Sequence, residues 1–170
     1  MDLDNMEDRK SDLDAHDYYC CLGTTMRKAG SKENFIKIDH DYPITLAKIA
    51  MESPSFDQFL MVTAVGANSS SPLFYNEVKG KVEDSLKELG MKKLHIFQPS
   101  LLLGPREDFR FLEELAKAFS WILTFFVIGS KKRLWSIKGS EVAKAMLKVA
   151  MRSGEGVKTY KPFKIRNLAD

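Results

Sequence analysis

Tyr75 and Lys79 are the residues of this 170-residue chain whose types and spacing are best suited to proton transfer. On an α-helix, side chains four positions apart share one face, with Cβ atoms about 5–6 Å apart. A neighbouring ammonium favours the phenolate form of tyrosine, which lowers the pKa of the phenol and makes it a better proton shuttle near neutral pH. The same spacing recurs at Tyr160 and Lys164, where Pro162 argues against a helix. The surrounding sequence therefore has to distinguish the two pairs.

The elements that position these residues can be read from the apolar segments. Three continuous apolar runs, each ending near glycine, threonine or proline, predict buried strands over residues 17–22, 59–65 and 94–99. Strands that are apolar throughout are typical of a parallel sheet whose two faces are both covered. Because helical patterns alternate with these runs, the sequence predicts an α/β fold with helices on both faces of a parallel sheet.

The helix that carries Tyr75 and Lys79 is predicted to end at Leu89 before Gly90, with Ser70 or Ser71 as its N-cap. The other elements follow from apolar periodicity, caps and helix breakers. They are a short helix over residues 3–13, a loop over 26–34, a helix from a cap at Asp41 to before Pro54, a helix over 107–119, a helix from a cap at Ser140 to Ala150, and short strands between Lys158 and Leu168.

Composition and charge favour a single globular domain over residues 1–170. The net charge of +3 is too small to imply a nucleic-acid partner. The most apolar run, residues 119–128, has about half the ~20 residues that a membrane-spanning helix needs, so no membrane partner is predicted. The three histidines lack ligand spacing, and no metal site is predicted.

The two adjacent cysteines, Cys20 and Cys21, do not form a disulfide framework. We interpret them as buried thiols in a reducing compartment. The acidic N-terminus shows no apolar signal segment. Together these features predict a cytoplasmic location.

Four segments, taken in order, resemble the short-chain dehydrogenase/reductase family and, within it, the atypical members often labelled nucleoside-diphosphate-sugar epimerases. They are Cys20–Thr25, Val62–Ala67, Phe74–Glu83 and Phe97–Arg106. Each segment is a weak signal alone, but their order and spacing together are specific. The resemblance implies a Rossmann-type sheet and NAD(P)-dependent oxidoreductase or epimerase-like chemistry on a small carbonyl or alcohol substrate.

The resemblance also implies catalytic roles. Tyr75 matches the tyrosine that exchanges a proton with the substrate, and Lys79 matches the lysine that holds the nicotinamide ribose and lowers the pKa of that tyrosine. The third member is a hydroxyl that polarises the carbonyl, and Thr63 is its best match. Thr63 is equally well explained as an ordinary β-branched strand residue. The nearby substitutes for this hydroxyl are Ser69, Ser70 and Ser71.

The implied cofactor is NADP or NAD. Leu22, Gly23 and Thr24 match the loop that passes the cofactor, Lys79 matches its ribose anchor, and Pro99 and Ser100 match the wall beside the nicotinamide. The choice between NAD and NADP and the identity of the substrate are not given by these residues.

No three glycines of the chain lie at the GxGxxG or GxxGxxG spacing that receives a pyrophosphate. By resemblance, the chain starts after the family's third strand. We therefore expect a partial Rossmann-like domain that lacks the first βαβαβ half and binds dinucleotide weakly. The strand Tyr18–Leu22 would then be an open sheet edge through which the chain could self-associate.

Two other classes of function stay open. One is a non-catalytic nucleotide-sensing or protein-interaction module on the same fold. The other is a structural remnant that pairs through its open strand edge. Replacing Tyr75 by Phe distinguishes an enzyme, which loses turnover, from a binding module, which does not.

Overall fold

The computed structural model describes residues 3–103, 136–152 and 154–170. Its centre is a four-stranded parallel sheet with the strand order β1-β2-β3-β6, and a separate parallel pair is formed by β4 and β5. The strands are β1 Asp17–Cys20, β2 Gln58–Val62, β3 Lys93–Phe97, β4 Leu101–Leu103, β5 Ser136–Lys138 and β6 Gly156–Tyr160.

Helices connect and cover these strands. They are α1 Met26–Ala29, α2 Lys32–Ile36, α3 Tyr42–Glu52, α4 Phe74–Glu88, α5 Gly139–Ala150 and α6 Pro162–Ala169, with 3-10 turns at Leu3–Asn5 and Glu7–Leu13. A π-helical segment, Lys37–Asp41, joins α2 directly to α3. None of the helices in the described ranges is long and apolar enough to cross a membrane.

The register of the sheet confirms the predicted parallel arrangement. Tyr19 lies opposite Leu60, and Leu60 lies opposite His95. One face of the sheet packs on α3 and α4 through an apolar cluster that includes Phe59 and Val82. The other face packs on α5 and α6 through a second cluster that contains Leu60 and Ile165. The predicted α/β class, with helices on both faces, is therefore confirmed.

The segment after β1 differs from the prediction. Residues 26–34, predicted as a loop, contain α1 and the start of α2. Both helices are set by local caps, because the side chain of Thr25 accepts from the amide of Lys28 and that of Ser31 accepts from the amide of Asn34. Asp41 does not cap α3, since the chain is already helical when it reaches that residue. Residues 3–13 form 3-10 turns rather than an α-helix.

Three further predictions are corrected. Neither Ser70 nor Ser71 caps α4; Leu73 precedes the helix, and the Ser71 hydroxyl accepts from the Leu73 amide. The last α/β unit has α5 beginning at Gly139 rather than after Ser140. Residues 158–168 hold the end of one strand and then α6, which Pro162 begins because proline is tolerated in a first helical turn.

Both cysteines are free, but only one matches the prediction of buried thiols. Cys20 is buried on β1, whereas Cys21 is exposed. The helix predicted over residues 107–119 and the buried run predicted over 119–128 lie outside the described residues. Within the described part of the chain, β1 pairs with β2 alone and forms one edge of the sheet.

Candidate functional site

Helix α4 places Tyr75 and Lys79 on one face, as their spacing predicts. The Lys79 ammonium nitrogen lies 6.0 Å from the centre of the Tyr75 ring. Lys79 is only 4% exposed. The ring of Tyr75 also meets the edge of Phe35 from α2, with ring centres 6.0 Å apart. Lys79 is therefore buried, and Tyr75 is partly buried between α2 and α4.

The Lys79 ammonium is neutralised by a carboxylate that the sequence analysis did not select. Asp39, on the π segment, places Oδ1 2.7 Å from Lys79 Nζ, and both side chains are almost fully buried. Burying a charge without a partner is costly, so each of these groups accounts for the presence of the other. The π segment, which adds one residue to a helical turn, is the element that presents Asp39.

The loop after β1 reaches the same ion pair. The amide of Thr24 donates to Asp39 Oδ2 at 2.8 Å. At Gly23, a Cβ atom would lie 3.5 Å from Asp39 Oδ1 and 3.6 Å from Lys79 Nζ. Because Gly23 has no side chain, the backbone of the loop passes close to the ammonium. Thus two predicted cofactor-loop residues, Gly23 and Thr24, lie beside the predicted lysine.

The electrostatics of Tyr75 differ from the simple expectation of a lowered pKa. Burial raises the pKa of the Tyr75 phenol above its ordinary value, the Lys79 ammonium works to lower it, and the Asp39 carboxylate adds to the rise. The net direction is upward, so the expected lowering of the pKa by Lys79 is outweighed. Tyr75 is therefore a protonated phenol near neutral pH.

Thr63 lies at the end of β2 in a second buried network. Its hydroxyl donates to Glu83 Oε1 at 2.6 Å, and the side-chain amide of Gln98 donates to the two oxygens of Glu83 at 2.9 and 3.0 Å. Glu83, also on α4, is 4% exposed. The network ties α4 to the ends of β2 and β3. The hydroxyl proton of Thr63 is directed at Glu83, and the polarising role of Thr63 stays a prediction.

The three serines named as substitutes lie in the turn before α4. The Ser69 hydroxyl bonds to Asp84, the Ser70 amide donates to Asn68 Oδ1, and the Ser71 hydroxyl accepts from Leu73. The turn packs tightly on α4, because a Cβ at Gly80 would lie 2.1 Å from the backbone of Asn68 and Ser69. Among these bonds, none leads to Tyr75.

Pro99 and Ser100 follow β3 at the carboxyl edge of the sheet. The Pro99 carbonyl accepts from the amide of Val65 at 3.0 Å, which joins the loops after β2 and β3. Ser100 is 8% exposed, and its hydroxyl has no hydrogen-bond partner within the described ranges. A buried polar atom of this kind is suited to a ligand. Their predicted place beside the nicotinamide is not tested by these contacts.

Sequence reasoning missed Asp39 and Glu83, the two buried carboxylates that contact the predicted site residues. Glu83 could have been found, because Tyr75, Lys79 and Glu83 recur every four residues along one face of α4. Asp39 gave only a weak signal in the sequence, that of an acidic residue between Ile38 and Ile44. Among the described residues there is no cluster of His, Cys, Asp and Glu that could hold a metal.

Relatives of known name cover most of the chain. It is 32% identical over 161 residues to protein HTATIP2 of Rattus norvegicus, covering 92% of this chain and 62% of that protein. It is 33% identical over 153 residues to the mitochondrial protein FMP52 of Debaryomyces hansenii, covering 87% and 66%. The chain belongs to the atypical short-chain dehydrogenase/reductase family. No family model matches it.

Solved structures give the same fold for this family member. The UDP-glucuronic acid 4-epimerase of Bacillus cereus in complex with NAD matches 95% of this chain and 57% of its own, with a TM-score of 0.61 and 10% identity. The ADP-L-glycero-D-manno-heptose-6-epimerase of Helicobacter pylori matches 95% and 58%, with a TM-score of 0.62 and 17% identity. At such low identity the likeness establishes the fold alone.

The comparisons bear on length and on location. The chain spans about three fifths of the length of the curated relatives that it matches. Several fungal relatives, including that of Emericella nidulans, are named mitochondrial. The prediction of a cytoplasmic location is therefore wrong on this comparison.

Proposed function

We propose that this member of the family carries the proton-transfer site of an NAD(P)-dependent oxidoreductase or epimerase-like protein that acts on a small carbonyl or alcohol. One observation carries the proposal. The loop after β1 and the dyad helix converge, so that a Cβ at Gly23 would lie 3.6 Å from Lys79 Nζ, although the two residues are far apart in sequence. The carboxyl edge of a parallel sheet is where dinucleotides bind in open α/β folds.

The residues present fit the ribose end of a dinucleotide. Lys79 offers an ammonium with three donors, and Gly23 places no side chain against it. Leu22, Gly23 and Thr24 would pass along the cofactor, and Pro99 and Ser100 would line the nicotinamide. When bound, the cofactor supplies or accepts a hydride.

Tyr75 would move the proton. In the direction of reduction, its hydroxyl gives a proton to the substrate oxygen as that oxygen gains charge, and in the reverse direction the phenolate takes the proton back. Because burial raises the pKa of Tyr75, the protonated form is the resting form, which suits reduction of a carbonyl. Thr63 would polarise the carbonyl only if its hydroxyl turned away from Glu83.

Affinity for the dinucleotide is expected to be weak in this chain. Its sequence has no glycine triplet at the spacing that receives a pyrophosphate, so the nicotinamide half would supply most of the contacts. We expect a Kd above the low micromolar range for NADPH and NADH, measured by the fluorescence of the reduced cofactor. Absence of binding at millimolar cofactor contradicts the proposal, and a low micromolar Kd contradicts the expected weakness.

Two substitutions test which residues form the site. Gly23→Val should abolish the remaining binding because its side chain covers Lys79, while Gly139→Val, at a glycine with open space around it, should not. With a carbonyl substrate found by screening NADPH consumption, Tyr75→Phe should lower turnover about 10²–10⁴-fold. Tyr160→Phe is the matched control. Unchanged turnover in Tyr75→Phe would favour a nucleotide-sensing module instead.

Two further expectations concern self-association of the chain and its location in the cell. We propose self-association through the Tyr18–Leu22 edge, where Tyr19 is 40% exposed, because an unpaired edge is a template for another strand. A concentration-independent monomer in size-exclusion chromatography would contradict self-association.

The names of the fungal relatives support a mitochondrial location, which fractionation of cells expressing the whole protein would test.

A further inference from the structure

Asp39 is a buried charged residue to which the proposed function above assigns no role. Its fully buried carboxylate joins two parts of the proposed site, the Lys79 ammonium at 2.7 Å and the Thr24 amide at 2.8 Å. We propose that Asp39 is a positioning residue for the Tyr75–Lys79 pair, acting through Lys79 and through the loop after β1. This inference rests on the proposed function and deepens it.

The first consequence concerns the position of the lysine. A flexible ammonium in a buried site takes the position that its strongest partner fixes. Asp39 holds Lys79 Nζ beside Gly23 as an ion pair, with Oδ1 2.7 Å from that nitrogen. In the proposed complex, the donors of this ammonium would bond hydroxyl groups of a ligand that passes Gly23. Without Asp39, the described ranges leave the ammonium its weaker contact with the Tyr75 ring, at 6.0 Å.

The second consequence concerns charge. Lys79 alone would favour the phenolate of Tyr75, but the carboxylate that pairs with Lys79 opposes this effect. Burial raises the pKa of Tyr75, with Asp39 adding to the rise and Lys79 reducing it. The dyad of this chain therefore rests as a neutral phenol beside a neutralised lysine.

Two charged groups near Tyr75 in the described ranges make other contacts. On neighbouring turns, Glu77 pairs with Lys81 at 2.6 Å, and Lys32 lies over the ring of Phe74 at 5.2 Å. Beneath the ion pair, burial raises the pKa of the Cys20 thiol to about 11, so it is uncharged near neutral pH. Within the described ranges, Asp39 and Lys79 are two charges that act on the phenol, in opposite directions.

The test measures ionisation of Tyr75 without cofactor or substrate. The chain is labelled with carbon-13 at the tyrosine Cζ, and the Tyr75 signal is assigned by its loss in Tyr75→Phe. In Asp39→Asn, which keeps an acceptor for Thr24 and removes the charge, the titration midpoint of Tyr75 should fall by about one pH unit or more. Asp39→Glu should restore a midpoint close to that of the wild type.

Asp41→Asn is the matched control, because Asp41 is on the same π segment but its side chain is 57% exposed and pairs with His40. Its midpoint should equal that of the wild type. An unchanged or higher midpoint in Asp39→Asn overturns the proposal. An equal fall in Asp41→Asn also overturns it, since the effect would then be general to the segment.

If Asp39→Asn does not fold, the proposal is tested instead by comparing Lys79→Met with the double variant Asp39→Asn/Lys79→Met. If Asp39 acts through Lys79, the double variant Asp39→Asn/Lys79→Met should fold, because the unpaired ammonium is gone. If Lys79→Met folds and the double variant does not, Asp39 acts independently of Lys79 and the proposal is wrong. Since no step uses a dinucleotide, failure of the chain to bind NADPH would overturn the proposed function and leave this result standing.

Discussion

Two tyrosine–lysine pairs with the same sequence spacing have different surroundings in this molecule. Lys79 Nζ lies 6.0 Å from the centre of the Tyr75 ring, and Lys164 Nζ lies 5.6 Å from that of Tyr160. By distance alone the second pair is the closer. Neither spacing nor separation therefore identifies the proton-transfer site.

The two pairs differ in burial, in charge and in place. Lys79 is buried against Asp39 at the carboxyl edge of the sheet, while Lys164 is exposed on α6. Tyr160 ends β6, stacks on Phe97 with ring centres 4.7 Å apart, and its hydroxyl lies 3.2 Å from His95 Nδ1. Burying a lysine and a carboxylate together costs free energy of desolvation, because both charges leave water. An ammonium that lies over a ring at the surface stays hydrated and needs no carboxylate partner. The comparison supports the proposed chemistry at Tyr75 and Lys79, and it favours a packing role for Tyr160.

The largest expected difference between the pairs is in stability after loss of the lysine. Lys79→Met leaves the Asp39 carboxylate buried without a cation, so the free energy of unfolding should fall by about 3–5 kcal/mol. Lys164→Met removes only an exposed contact and should change it by less than about 1 kcal/mol. Urea unfolding followed by circular dichroism measures both. Equal losses would show that burial of Lys79 carries no special energetic weight.

Elements with a long apolar run or a helical period can be predicted from the sequence, whereas elements that depend on a single contact cannot. The strands near residues 20, 60 and 95 and helix α4 follow from continuous apolar runs and helical periodicity, so they were found. Helices α1 and α2 are too short for a period and depend on single caps, so they were missed. In the sequence, Pro162 favours a break in a helix. Only the structure shows that it lies in the first turn of α6, where proline is tolerated.

The candidate site can also be predicted from the sequence only in part. Tyr75, Lys79 and Gly23 have a recognisable order in sequence, and the structure brings them together. Asp39 has no pattern of its own, because its partner Lys79 is forty residues away and its position depends on an added residue in a helical turn. The raised pKa of Tyr75 also needed the structure, since burial outweighs the lysine.

A smaller effect is expected from the hydroxyl of the second tyrosine. Tyr160→Phe removes its hydrogen bond with His95 while keeping the stacked ring on Phe97, so stability should fall by about 0.5–1.5 kcal/mol. NADPH affinity should be unaltered, because this pair lies outside the proposed site. A loss of NADPH binding in Tyr160→Phe, with the fold intact by circular dichroism, would erase the distinction between the pairs.

The smallest expected effect is a pH dependence of stability that comes from His95, beside Tyr160. Burial lowers the pKa of His95 below its ordinary value of 6.5, and the ammonium groups of Lys158 and Lys93 lower it further. The fold therefore favours neutral imidazole. This stabilisation is fully present above pH 6.5 and is lost as the pH falls through the lowered pKa, because the unfolded chain then binds the proton more readily. In His95→Gln, which stays neutral, the decline of the free energy of unfolding below pH 6.5 should be shallower than in the wild type. Parallel declines in urea titrations over that range would mean that His95 is not kept neutral, and the packing role assigned to the Tyr160 pair would lose its support.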